Sequence, residues 1–227
     1  MEWPARIDEE ILQDIIQYQE QIMVYRKDHL EDCIIGYHSL TLLYSDEIAD
    51  FITEKAALQS IYLEDSSAPK VAPALWKIPV CYDEAFGIDL KAMSKTLKLS
   101  TQEIIRLHSQ VTYTVYFIGF LPGFLYLGGL DHHLTIPRKA EPRLDVAKGS
   151  VAIGGSQTGV YPTNSAGGWY IIGKTPIPFF DIENENPCFA KAGDKIQFAP
   201  VDVAEFNKLA TDISRGAYRV SNSPWNA

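Results

Sequence analysis

Cysteine is scarce in this sequence, and the few that occur argue against a disulfide framework or a zinc site. Cys33, Cys81 and Cys188 are far apart, odd in number and without C-x-x-C spacing. We expect free thiols in a reducing compartment, which predicts a cytoplasmic protein. The amino end also has no apolar run typical of a signal peptide, since Met1 is followed by Glu2, Trp3, Pro4 and Ala5.

Basic residues are in deficit as well. The chain has 20 Lys and Arg against 29 Asp and Glu, a net charge of −9. Nucleic acids and anionic lipid surfaces are recognised by clustered cations, so this balance argues against both as partners.

Long hydrophobic runs are limited to one stretch. Residues 111–130 contain no Asp, Glu, Lys or Arg, and their length is near that of a membrane-spanning helix. However, Gly119, Pro122 and Gly123 interrupt the stretch, and its first half is rich in β-branched and aromatic residues. We therefore predict a strand, a Pro-Gly loop and a second short segment there, and not a membrane span.

What the sequence does contain is enough apolar material for a packed protein. Hydrophobic residues make up 46% of the 227, which fits one large domain or two small ones. The polar patch 64–70 contains Ser and Pro, which interrupt periodic structure, and is the best candidate boundary. We predict an α+β protein with an α/β domain at 1–72 and a second domain at 73–227.

The first domain shows helix and strand patterns in alternation. Asp8 is positioned to cap a helix whose apolar stripe runs from Ile11 to Met23. Residues 33–44 are rich in strand formers, and Ser45 is predicted to cap a second helix. The apolar side of that helix would consist of Ile48, Phe51, Ile52 and Leu58.

The second domain changes character along its length. A strand at 75–80 and a helix at 89–97 precede a capping box that opens at Ser100 and predicts a helix to Ser109. Residues 119–173 then contain 11 of the 15 glycines. Short apolar segments at 150–153, 169–172 and 196–198 lie between turn signals, which is typical of a β-barrel or β-sandwich.

Two apparent motifs do not support the chemistry that they suggest. Residues 168–175 match the phosphate-loop pattern G-x-x-x-x-G-K-T, but Tyr170-Ile171-Ile172 favours a strand. Pro176 would also oppose the helix that a phosphate loop needs. Adjacent His132 and His133 would point to opposite faces of a strand, so we expect a surface pair and no metal site.

A cationic, glycine-rich region is the candidate ligand site. Residues 119–173 contain four cations and three carboxylates, net +1, so the remainder carries −10. Arg138 and Arg143 offer forked donors for a carboxylate or phosphate, and aromatic residues are available to form an apolar wall. Those aromatic residues are Phe120, Phe124, Tyr161 and Trp169. The alternatives are that the cations are ordinary surface charges and that the aromatics form the barrel core.

Four sequence blocks in this region also carry a family resemblance. In order they are P-G-F-x-Y-L-G-G-L from Pro122, P-R-x-x-x-P-R from Pro137, G-S-V-A-I-G-G from Gly149 and Y-P-x-x-x-x-G-G-W from Tyr161. Together they resemble the allophanate hydrolase subunit 1 family, also described as the kinase A inhibitor family. The resemblance implies that the second domain is a cyclophilin-like β-barrel.

The resemblance further implies a subunit of an ATP-dependent 5-oxoprolinase that converts 5-oxo-L-proline to L-glutamate. Expected partners are an allophanate hydrolase subunit 2-type protein and a third subunit, with ATP used by the complex and no activity from this chain alone. Implied alternatives are an inhibitor of a sensor histidine kinase or a component of urea and allophanate breakdown. The substrate-binding residues predicted on this basis are Phe120, Phe124, Arg138, Arg143, Gln157, Tyr161 and Trp169.

Overall fold

The computed structural model describes residues 1–64 and 72–225. The chain divides into two compact units, Met1–Val71 and Ala72–Ala227. The predicted boundary patch falls almost entirely outside the described residues. Among the described residues, no helix is long and apolar enough to cross a membrane.

The first unit contains two helices and a β-hairpin. Its elements are α1 (Glu9–Arg26), β1 (Leu30–Ile35), β2 (Leu40–Tyr44) and α2 (Phe51–Leu63), with a short 3₁₀ helix, Lys27–His29, between α1 and β1. The Asp8 side chain accepts a hydrogen bond from the Glu10 N–H at the start of α1, as predicted. The apolar stripe of α1 packs against the hairpin and α2, which forms the core of this unit.

The predicted start of α2 is wrong. The N-cap is Asp50 and not Ser45, because the Asp50 carboxylate accepts from the N–H groups of both Ile52 and Thr53. The predicted apolar side of α2 is also wrong in part, since Phe51 is 69% and Ile52 is 80% exposed.

The second unit is a closed seven-stranded barrel, which confirms the predicted class. Its elements are β3 (Ala74–Cys81), α3 (Leu90–Leu97), α4 (Thr101–Ser109), β4 (Thr112–Ile118), β5 (Leu125–Gly128), β6 (Arg143–Val146), β7 (Ser150–Gly154), β8 (Gln157–Val160), β9 (Ser165–Gly167), β10 (Tyr170–Lys174), β11 (Lys195–Val201), α5 (Val203–Ser214) and β12 (Asn222–Pro224). A 3₁₀ helix, His132–Leu134, lies between β5 and β6.

The barrel strands follow the order β10-β7-β8-β5-β4-β11-β3, and β10 pairs back onto β3. Neighbouring strands are antiparallel except β3 and β11, which run parallel over seven paired positions. The closing pair of β10 and β3 has one paired position, Lys174↔Cys81. β12 adds to the outer side of β3, and β6 pairs with β9 as a separate two-stranded ribbon.

The local predictions for this unit largely agree with the structure. Ser100 accepts a hydrogen bond from the Glu103 N–H and caps α4, as predicted. Residues 111–130 form β4, a loop and β5, and not a helix. The loop requires left-handed backbone at Gly123, whose φ is +82°.

Candidate functional site

Three of the predicted site residues meet in one aromatic cluster. Phe124, Tyr161 and Trp169 are each less than 7% exposed and pack together with Val146, Ala152 and Ile171. The Phe124 ring meets those of Tyr161 and Trp169 edge to face, with centroids 5.7 and 5.6 Å apart. Edge-to-face packing of this kind gives the cluster a fixed shape.

Two glycines allow the aromatic rings to pack closely against main chain. A Cβ at Gly154 would overlap the Trp169 indole, and a Cβ at Gly167 would overlap the Tyr161 phenol. The glycines of the G-S-V-A-I-G-G and G-G-W blocks therefore serve packing as well as turns. Of the two interpretations of these aromatics, the burial of Phe124, Tyr161 and Trp169 favours a packed core.

Arg138 lies at the protein surface beside this cluster. Its guanidinium carbon is 5.7 Å from the centroid of the Trp169 ring, and its side chain is exposed. Among the described residues, Arg138 has no ion-pair or hydrogen-bond partner. Its donors are therefore available to an anion while the aromatic face stabilises the cation.

Arg143 is in a different situation from Arg138. Its Nη1 and Nη2 atoms donate to Oδ2 and Oδ1 of Asp89 at 2.9 and 2.7 Å, a forked pair. Lys139 also reaches Asp89, with 3.0 Å between Nζ and Oδ1, and lies over the Tyr170 ring at 4.4 Å. Arg143 is thus near the cluster, but its charge is already paired.

The two arginines affect the titration of the buried phenol beside them. Burial raises the pKa of Tyr161, while a hydrogen bond from the Trp169 main chain and the charges of Arg138 and Arg143 partly oppose that rise. Both guanidinium groups are therefore close enough to the aromatic cluster to act on the same phenol.

Two further predicted residues lie at the margin of the cluster. Phe120 is 63% exposed, adopts a φ of +63° and meets the Phe124 ring edge to face at 5.6 Å. Gln157 begins β8 opposite Gly154, the residue against which the indole packs. Phe120 is therefore an exposed aromatic residue beside the cluster. Gln157 pairs with the glycine that contacts the Trp169 ring.

Two cavities lie elsewhere in the molecule. One of about 1160 Å³ lies in the first unit between α2 and the β1–β2 hairpin. The other, of about 610 Å³, lies in the second unit near Trp76, Phe189 and Tyr218. None of the predicted site residues lines either of these two cavities.

The structure bears on both of the apparent motifs. Residues 170–174 form β10, and Pro176 and Pro178 follow, so the residues present do not fit a nucleotide phosphate loop. The opposite-face argument for His132 and His133 is wrong. They lie in a 3₁₀ helix with ring centroids 3.8 Å apart, and both are exposed beside Asp131.

Sequence reasoning missed the acidic partner of the site. The sequence pattern marks Asp89 only as the start of a helix, yet its carboxylate binds both Arg143 and Lys139 from positions 54 and 50 residues away in the sequence. A local pattern cannot reveal such a pairing. The available signal was an aspartate at a helix start preceded by Gly87, whose lack of a side chain allows the turn to approach Ile172 O.

Comparisons with known proteins show the family of this chain. A family model described as the carboxyltransferase domain, subdomain C and D, matches residues 1–190. The B-type subunit of 5-oxoprolinase from Bacillus subtilis (strain 168) is 36% identical over 186 residues, which cover 78% of this chain and 78% of that protein. The protein of the same name from Escherichia coli O157:H7 is 40% identical over 174 residues, which cover 74% of this chain and 77% of that protein.

Solved structures show the same fold. TTHA0988 is 29% identical with a TM-score of 0.77, and the match covers 89% of this chain but only 39% of that one. The urea amidolyase of K. lactis gives a TM-score of 0.80 at 16% identity, covering 98% of this chain and 15% of that one, a likeness of fold alone. Because the family model spans most of the sequence and the close relatives match along three quarters of it, the chain belongs to the carboxyltransferase domain family of subdomains C and D.

Proposed function

We propose that this chain is the B-type subunit of an ATP-dependent 5-oxoprolinase, which opens 5-oxo-L-proline to L-glutamate. The observation that carries the proposal is the identity of 36% and 40% with two proteins named as this 5-oxoprolinase subunit, over most of their lengths. In the net reaction, water adds across the lactam C–N bond, and ATP hydrolysis supplies the driving force. We assign the use of ATP to the complex as a whole.

The substrate's chemistry suits the cluster at Trp169. The substrate carries one carboxylate and a small, flat lactam ring. Arg138 has free donors for the carboxylate, and the exposed Phe120 ring, beside the cluster that contains the buried Trp169, offers apolar surface for the lactam. Gln157, at the neighbouring strand start, would orient the amide. Phe124 and Tyr161 pack in the same buried cluster as the Trp169 indole and are not expected to touch substrate.

The structure changes what is expected of Arg143. From sequence, neither arginine is expected to fill core volume, so Arg143→Ala would leave the chain folded. However, Arg143 neutralises Asp89, whose side chain is 4% exposed. Arg143→Ala would leave Lys139 as the remaining cation beside this buried carboxylate, so the substitution is expected to lower stability. Arg143→Ala therefore tests stability, and Arg138→Ala is the informative substitution for binding.

The test is reconstitution of the complete complex. The chain is co-expressed with an allophanate hydrolase subunit 2-type protein and the third subunit, and glutamate release from 5-oxoproline is measured with and without ATP. We expect glutamate only with ATP and all three subunits. No release from the complete set would contradict the proposed function.

Arg138→Ala should lower kcat/KM about 100-fold, because a charge-assisted forked contact to the carboxylate is lost. Arg215→Ala is the matched control, since Arg215 is an exposed arginine at the end of α5, away from the cluster. Thermal denaturation of both variants separates binding from folding. Wild-type turnover in Arg138→Ala would remove this residue from the site.

A further inference from the structure

Asp89 occupies a helix N-cap position but does not act as a cap. The side chains of Asp8, Asp50 and Asp202 each accept a hydrogen bond from an N–H in the first turn of their helices. Asp89 precedes α3, and its side chain makes no such bond. Its carboxylate is directed instead to the segment that carries the candidate site.

The contacts of Asp89 use both carboxylate oxygens. Oδ2 accepts from Arg143 Nη1 at 2.9 Å and from the Ile171 N–H at 2.8 Å. Oδ1 accepts from Arg143 Nη2 at 2.7 Å and lies 3.0 Å from Lys139 Nζ. Burial by itself would raise the pKa of Asp89, but the hydrogen bonds from these three groups lower it overall, so the carboxylate remains charged.

These contacts hold the segment that directly follows Arg138 in the chain. Lys139 is the next residue, its N–H donates to Gly168 O at 2.7 Å, and its ammonium lies between Asp89 and the Tyr170 ring. Arg143 begins β6 and pairs with Gly167. Arg138 is therefore placed over Trp169 by a loop that Asp89 ties down at two points.

Charge explains why one carboxylate among three cations suits this purpose. Arg138, Lys139 and Arg143 carry +3 and Asp89 carries −1, so the contacting groups sum to +2. Asp89 pairs with Arg143 and Lys139, and it leaves Arg138 unpaired. Without its charge, three cations would repel one another and the loop would lose its anchor.

We propose that Asp89 is a positioning residue for the anion site, which fixes Lys139 and Arg143 so that Arg138 alone presents its guanidinium, over Trp169, to the substrate carboxylate. This inference rests on the proposed function, and it specifies which substrate group the site recognises. Arg138 would bind the substrate carboxylate in the ground state as well as during the reaction. Loss of this contact should therefore raise KM more than it lowers kcat.

The test compares Asp89→Asn with a matched variant in the complete complex. Asn retains the size of the side chain and an acceptor for the Ile171 N–H but removes the charge. The control is Asp194→Asn, because Asp194 is similarly buried and accepts hydrogen bonds from the Ala74 N–H, the Trp76 Nε1–H and the Lys191 N–H, none of which belongs to the aromatic cluster. A purely structural role for Asp89 would give the two variants the same kinetic behaviour.

For Asp89→Asn we expect KM for 5-oxoproline to rise about tenfold or more with kcat within about threefold of wild type. Asp89→Glu should restore part of the KM effect, and Asp194→Asn should lower stability without moving KM. 2-Pyrrolidinone, which lacks the carboxylate, should be bound equally by wild type and Asp89→Asn. A KM for 5-oxoproline within twofold of wild type in Asp89→Asn overturns the inference while leaving the proposed function intact.

Direct binding to the full chain keeps the two proposals separable. The Trp169 indole N–H resonance is followed by NMR while 5-oxoproline or 2-pyrrolidinone is added to wild type and Asp89→Asn. We expect a shift with 5-oxoproline that weakens about tenfold in the variant. If the wild-type complex releases no glutamate, the proposed function fails and this titration decides the inference, with equal affinities for the two proteins overturning it.

Discussion

Replacing His108 by glutamine should flatten the acid dependence of stability. His108 lies on the buried face of α4 and is fully buried. Its Nε2 is 2.8 Å from Thr158 Oγ1, whose hydroxyl donates to Ala152 O, so Nε2–H is the donor. Nδ1 is then unprotonated and accepts from the Tyr82 hydroxyl at 2.8 Å. The neutral ring satisfies every partner, and a second proton would face the Tyr82 O–H.

Burial lowers the pKa of His108 to about 3. The unfolded chain binds a proton at this histidine below about pH 6.5, whereas the folded chain does not until about pH 3. Stability from this group is therefore fully present above pH 6.5 and is lost as the pH falls from 6.5 toward 3. Between pH 7 and pH 5 the loss amounts to about 2 kcal/mol.

The assay is urea unfolding of the full chain at several pH values, followed by tryptophan fluorescence and circular dichroism. His108→Gln should be less stable than wild type at pH 7, because the hydrogen bonds and the stacking on Phe198 are disturbed. The stability difference should shrink by about 2 kcal/mol at pH 5. His132→Gln, on an 85% exposed side chain, is the control and should retain the wild-type pH dependence. Parallel pH profiles for wild type and His108→Gln would refute the reasoning.

Two further substitutions test local structure. Gly123→Ala should lower the unfolding free energy by about 2–4 kcal/mol, through left-handed strain and a Cβ placed 2.7 Å from a neighbouring carbonyl oxygen. Gly216→Ala should cost only about 1 kcal/mol, since nothing lies within 4 Å, and equal losses in denaturant titrations would contradict the packing argument. Asp50→Ala should lower the unfolding free energy of the first unit, measured by calorimetry, by about 1 kcal/mol, and Ser45→Ala should leave it unchanged. A larger loss in Ser45→Ala than in Asp50→Ala would show that Ser45 is the cap.

Local signals accounted for much of the fold. The caps at Asp8 and Ser100 act within three residues, so they are visible in the sequence, and the glycine-rich turns indicated a barrel. The error at Ser45 arose because two good capping residues lie five positions apart. The sequence does not reveal which of the two side chains accepts hydrogen bonds from the first N–H groups of the helix, and in the structure it is Asp50.

The candidate site was predictable only in part. Residue type and the family blocks indicated Arg138 and Trp169, which the structure brings together. The contrast between a free Arg138 and a paired Arg143 depends on Asp89, which lies 54 residues from Arg143 in the sequence. Contacts over such distances are decided by barrel closure, which no spacing in the sequence encodes.

The narrow closure of the barrel has a consequence for its rigidity. Strand β3 pairs with β10 at one position. Beyond that position, Asp89 takes the place of a strand partner for Ile171: the Asp89 N–H donates to Ile171 O at 2.9 Å, and the Ile171 N–H donates to the Asp89 carboxylate at 2.8 Å. A side chain therefore completes a seam that main chain completes elsewhere. The barrel can open locally here while every strand stays in the sheet, so the hydrogen-exchange rate of the Ile171 amide measures how often the contact with Asp89 breaks.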